Sequence, residues 1–157
     1  MKFLHSAAAP VFAALLLLAA VICSAHKQSQ MVDLSGGLVI EDAYIRANSP
    51  SAPAAAGYMV IRNVGGADVL IAADADFARR TELHSVKVDE DGVASMTPIE
   101  GGIEIPAGGE AVLARGATHV MLMGLTEALA QGDAKPVRLL FENAGEMVVE
   151  FIVDHTR

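Results

Sequence analysis

The sequence predicts an all-β domain, an antiparallel sandwich or barrel, from three observations. Short apolar or alternating runs rich in Val, Ile and Leu recur from residue 38 to residue 153. Gly, Pro and Asp-Gly steps separate them at close intervals. No stretch after residue 37 sustains an amphipathic helical period. Many short strands joined by such turns form sandwiches or barrels.

Leu38-Val39-Ile40 and Ala43-Tyr44-Ile45 read as one strand with a bulge at Glu41-Asp42. Asn48-Ser49-Pro50-Ser51-Ala52-Pro53 is a turn-rich loop. Gly57 to Asn63 is a second strand, closed by Val64-Gly65-Gly66, and Val69 to Ala73 a third. Arg80 to Val88 is a fourth, alternating in polarity around Leu83. The Asp91-Gly92 step turns the chain back through Val93 to Ile99, so Met96 returns toward the strand that carries His84. Ile103 to Pro106 and Glu110 to Ala114 flank the tight turn Ala107-Gly108-Gly109. Thr118 to Leu125 is a β-rich run ending at a glycine turn. Leu125 to Asp133 has room for a single helical turn, ended by Gly132-Asp133. Val137 to Glu142 and Met147 to Val153 complete the domain around Asn143-Ala144-Gly145.

The first 25 residues differ. Lys2 precedes an apolar run from Ala7 to Cys23, followed by small residues. This is the pattern of a secretory signal peptide, with cleavage expected after Ala25. The run is short for a membrane span, which takes about 20 apolar residues, so no span is expected once the signal is removed. Lipid attachment at Cys23 is the alternative, although Ile22 is bulky for the residue before such a cysteine. Residues 26–37 read as a flexible lead-in, and 38–157 as one domain. The expected location is the periplasm.

Cys23 is the only cysteine. The mature domain therefore has no disulfide, no thiolate metal site and no blue-copper centre. The formal net charge of −8 argues against nucleic acid or an anionic membrane as partner. No nucleophile elbow, phosphate loop, zinc-protease motif or dinucleotide fingerprint is present. Ser85 beside His84 faces the other side of a strand. No enzyme is indicated.

Chemistry is concentrated in four residues. His119 and Met121 alternate onto one strand face together with Met123. His84 sits in another strand, and the hairpin returns Met96 toward it. Taken singly, each Met reads as a core filler and each His as a hydrogen-bonded strand residue. Taken together, His84, Met96, His119 and Met121 supply two imidazoles and two thioethers with no anionic ligand, a set suited to Cu(I). A secreted β-sandwich interaction module without metal is the other reading.

The chain resembles the periplasmic copper chaperone family PCu(A)C from Val39 to Val153. The resemblance is carried by Asn63-Val64-Gly65, Glu82-Leu83-His84, Asp91-Gly92-Val93 leading to Met96-Thr97-Pro98, and Ile105-Pro106-Ala107-Gly108-Gly109. His119-Val120-Met121-Leu122-Met123-Gly124-Leu125 and Phe141-Glu142-Asn143-Ala144-Gly145-Glu146 complete it. It implies a cupredoxin-like Greek-key β-sandwich that binds Cu(I) through His84, Met96, His119 and Met121. It also implies delivery to a copper-accepting protein, a cytochrome c oxidase subunit with its CuA site or that oxidase's assembly factors. Two departures stand out. Ser85, Val86 and Val88 occupy a segment where relatives often carry another Met, and the chain stops at His155-Thr156-Arg157 without a His- and Met-rich tail.

Overall fold

The computed structural model describes residues 32–34 and 36–157. The signal segment 1–25, with Cys23, and Met31 lie outside the described residues. Eleven strands follow one another: β1 Val32–Leu34, β2 Leu38–Arg46, β3 Ala54–Asn63, β4 Asp68–Asp74, β5 Ala78–Val88 and β6 Ala94–Pro98, then β7 Ile103–Ile105, β8 Glu110–Leu113, β9 His119–Leu125, β10 Ala134–Phe141 and β11 Gly145–Val153. There is no helix among the described residues. The fold is the all-β class that the residue pattern indicated, of the cupredoxin-like kind that the family resemblance implied.

Hydrogen bonding runs in the order β6-β5-β9-β3-β2-β11-β10-β4-β7, with β1 on β2 and β8 on β3. All pairings are antiparallel except one. β11 meets β2 in parallel at Ile152–Tyr44 and Val153–Ile45. Val32–Leu34, inside the lead-in, pairs with Leu38–Ile40. The bulge between Glu41 and Tyr44 lies where the polar pair interrupts the apolar alternation, and Asp42 takes a φ of 55° there. Asparagine and aspartate tolerate that conformation better than bulkier residues. Pro136 lies in β10 beyond the reach of β4, whose pairing begins at Arg138. Its missing N–H therefore disturbs no ladder on that side.

The path of strands folds over one apolar core. Ile40, Ile45, Met59, Ile61, Leu70, Leu122, Leu139, Phe141 and Phe151 are all essentially inaccessible. Gly57 is a place where a side chain would crowd its neighbours. A Cβ there would lie 3.3 Å from the Phe151 ring and 3.4 Å from Val120. The glycine lets Phe151 pack directly beneath β3, and so beneath the face described below.

The 125–133 segment forms no helical turn. Its amides are satisfied over long range, Leu125 on Pro53, Thr126 on Phe77, Leu129 on Pro50 and Gly132 on Val153. Backbone donors need partners, and here tertiary acceptors supply them in place of a carbonyl four residues back.

A buried carboxylate fastens the far end of the sheet. Asp68 accepts from the amides of Val69 (2.8 Å), Asn143 (2.9 Å) and Ala144 (2.9 Å). Burial pushes its carboxyl pKa up, but these amides outweigh burial and hold it below the usual carboxylate range. A depressed folded-state pKa contributes stability that is complete above the unfolded value, near 4, and is lost as pH falls through the folded value. The midpoint difference between wild type and Asp68→Asn is therefore expected to be largest at neutral pH and to shrink below about pH 4. Thermal melts from pH 7 to pH 2 check this, and a constant difference would exclude the carboxylate as its source.

Candidate metal centre

The four residues singled out by sequence occupy one face of three neighbouring strands. β5 and β9 pair so that His84 stands opposite His119, and Glu82 opposite Met121. β6 pairs with β5 so that Val86 stands opposite Met96 and His84 opposite Pro98. Side chains alternate along each strand. Leu83, Val120 and Leu122 therefore enter the core while His84, His119 and Met121 take the other face.

His84 and His119 meet edge to face, ring centroids 5.8 Å apart at 60°. Each imidazole has one nitrogen committed to a hydrogen bond. Nδ1 of His119 lies 3.0 Å from the Ala117 carbonyl, which can only accept, so Nδ1 carries the proton and Nε2 the lone pair. Nε2 of His84 lies 2.8 Å from the Glu82 carboxylate and donates to it, which leaves the lone pair on Nδ1. That Nδ1 is buried without any hydrogen-bond partner. An unpaired buried acceptor costs on the order of 1–3 kcal/mol, which makes this nitrogen a candidate electron-pair donor to a metal ion.

The rest of the row is aromatic. Tyr58 tilts against His119 at 6.2 Å, and Tyr44 packs on Tyr58 at 5.0 Å. Arg157 lies 4.2 Å above the Tyr44 ring and grips Asp42 with both terminal nitrogens, at 2.8 and 2.6 Å. Burial, with Tyr44 alongside, raises the Tyr58 phenol pKa against the lowering fields of Arg115 and Arg46. These contacts hold His119, which is 3% exposed.

Met96, His119 and Met121 line one cleft of about 410 Å³, and Tyr58 and Val86 lie in its wall. His84 adjoins it through its ring contact with His119. Met96 is the outlying member, 57% exposed on a strand whose five residues are all exposed. Met123 shares the strand face but belongs to a different group. Its sulfur accepts from Arg80 at 3.3 Å, and Arg80 also pairs with Glu82 at 3.2 Å. His155 is committed elsewhere, bonding the backbone of Ala47 and Leu129.

Among the described residues, no group of three or more His, Cys, Asp or Glu side chains is placed to hold a metal ion. The soft donors beside His119 in the cleft are the thioethers of Met96 and Met121. Two imidazole lone pairs with thioether sulfur form a soft, uncharged donor set, suited to a soft monovalent cation and poorly suited to Mg, Ca or Mn. The Glu82 bond to His84 is the kind of carboxylate contact that orients a ligating imidazole. The sequence carried a signal for it, since residues two apart in a strand share a face. Tyr58 and Arg46 carried no such signal, because nonlocal pairing brings them here.

A family model described as "Putative lipoprotein LpqE-like" matches residues 38–153. The chain belongs to the LpqE-like family. This is the PCu(A)C family of the resemblance drawn from the motifs. A relative of the LpqE-like chain, "Putative lipoprotein Lxx21020" of Leifsonia xyli subsp. xyli, is 32% identical over 108 residues. The match covers 68% of this chain and 63% of the relative, so the chain spans less than two thirds of that protein's length. Among solved structures, the apo PCuAC domain from PmoF1 is 25% identical with a TM-score of 0.68, covering 80% of this chain and 98% of that one. The solution structure of CuI-DR1885 from Deinococcus radiodurans is 27% identical with a TM-score of 0.57, covering 84% of each. The LpqE-like fold thus coincides with that of a PCuAC domain and of a Cu(I)-loaded protein.

Proposed function

We propose that this protein is an exported copper carrier that binds Cu(I) through His84, Met96, His119 and Met121 and passes it to another protein. The observation that carries the reading is the paired imidazoles, each with a free lone pair, on a face whose remaining soft donors are thioethers. The likeness to a Cu(I)-loaded domain supports the choice of metal. Transfer is by ligand exchange. Neutral ligands on an accessible cleft hold Cu(I) until a partner offers thiolates, which are stronger soft ligands. No bond of a substrate is made or broken, so the protein acts as a chaperone and not as an enzyme.

The recipient proposed from the family resemblance is the CuA site of cytochrome c oxidase, met in its subunit or through its assembly factors. The lipoprotein descriptions of the family and of its relative support an envelope location, the periplasm. They also bring lipid attachment at Cys23 into the reading.

Competition for Cu(I) against a chromophoric chelator, under reductant, tests the proposal on wild type, His84→Ala and Met121→Ala. Stoichiometric uptake that both substitutions weaken is expected. Imidazoles must shed their protons to bind a metal, so affinity is expected to fall as pH is lowered from 8 to 5. Absence of competition by wild type sinks the carrier reading, and a pH-independent affinity excludes histidine ligation.

A further inference from the structure

Arg46 and Arg115 line the same cleft as His119, Met96 and Met121. No aspartate or glutamate lines it, in a chain whose net charge is −8. Arg62, Arg80, Arg138 and Arg157 each meet a carboxylate. Among the described residues, neither Arg46 nor Arg115 takes part in an ion pair, and Nε of Arg46 is buried with no acceptor. Arg46 ends β2 opposite Ala56, which in turn stands opposite Met121, so only a methyl side chain intervenes in that cross-strand row. Arg115 lies in the turn that leads into β9.

Two uncompensated guanidiniums give this cleft a positive field on an otherwise acidic molecule. A guanidinium offers a planar fork of donors matched to a carboxylate, and a buried donor without an acceptor is costly until one arrives. We propose that the cleft is a carboxylate-binding site that docks an acidic segment of the copper-accepting protein beside the metal ligands. The partner in this statement rests on the carrier function above. A segment fits better than a small free anion because the arginines come from two separate elements flanking an open cleft, which calls for more than one carboxylate. The acidic remainder of the surface repels such a partner, so the cleft also selects where it lands.

The test uses copper-free protein labelled with 15N, following the Nε–Hε signals of Arg46 and Arg115. The probes are acetyl-Gly-Asp-Glu-Asp-Gly-amide, its Asn/Gln counterpart, and sodium acetate at equal carboxylate concentration. Saturable shifts of both arginines with the acidic peptide alone are expected. Arg46→Gln and Arg115→Gln should each weaken that binding about tenfold. No shift, an equal response to the amide peptide, or unaltered binding by the variants overturns the site. An equal response to acetate overturns docking of a protein segment. Because the peptide is read without copper, peptide binding by a wild type that takes up no Cu(I) overturns the carrier function and with it the identity of the partner.

Discussion

Replacing His119 with alanine is expected to lower Cu(I) affinity by about a hundredfold or more, the largest functional effect of any single substitution on this face. Loss of a residue that merely orients a metal ligand costs about 10–100-fold in affinity, and removal of the ligand costs at least the upper end of that range. His119 has the most contacts with the other proposed ligands and their surroundings. It stands opposite His84, contacts Tyr58, and lines the cleft with Met96 and Met121. Its ring is almost fully buried, so the variant needs a folding control, read as near-UV circular dichroism and thermal midpoint. Met121→Leu keeps the volume while removing the sulfur, and is expected to lose about tenfold with an unchanged midpoint. Chelator competition measures both. A folded His119→Ala protein that binds Cu(I) as wild type does would remove His119 from the ligand set.

The largest effect on stability is expected from Phe151→Ala. The ring is wholly buried and fills the space that Gly57 leaves open beneath β3. Truncating a buried Phe costs about 3–5 kcal/mol, a sum of lost transfer energy and of the cavity left behind. For a domain of this size the thermal midpoint should drop by roughly 10–20 °C. Denaturant unfolding at 25 °C gives the free energy directly. A loss below about 1 kcal/mol would mean that the core relaxes into the space, which the dense packing of a fully buried ring argues against. Cu(I) affinity measured well below the midpoint should change far less than in His119→Ala, since the proposed ligands stand on the opposite face of the sheet.

Alternation and turn chemistry made most of the strands legible in the sequence. The bulge at Glu41-Asp42, the hairpin at Asp91-Gly92 and the turn at Asn143-Ala144-Gly145 all lie where polar or glycine residues interrupt apolar runs. The 125–133 segment was misread because its apolar residues suggest a helical turn, whereas Leu129 is drawn into the core and its amide bonds Pro50. Short apolar segments do not announce such long-range partners. In the same way, the face shared by His119 and Met121 followed from their spacing, but the pairing of His84 with His119 did not. That register joins strands 35 positions apart and is set by packing across the sheet. Arg46 reaches the cleft through two successive strand pairings, which no local pattern encodes.

The sheet gives the site one fixed half and one yielding half. β9, which carries His119, is hydrogen-bonded to β3 on one side and β5 on the other, and His84 is the residue of β5 where its ladders to β9 and β6 meet. β6, which carries Met96, ends the strand order and faces water along its whole length. For a metal held as proposed, this difference sets a sequence in time. The thioether on the rim lets go first, an incoming ligand takes its place, and the imidazole pair releases last. Departure then begins at the sheet edge, and the choice of when to let go belongs to the partner that reaches that edge.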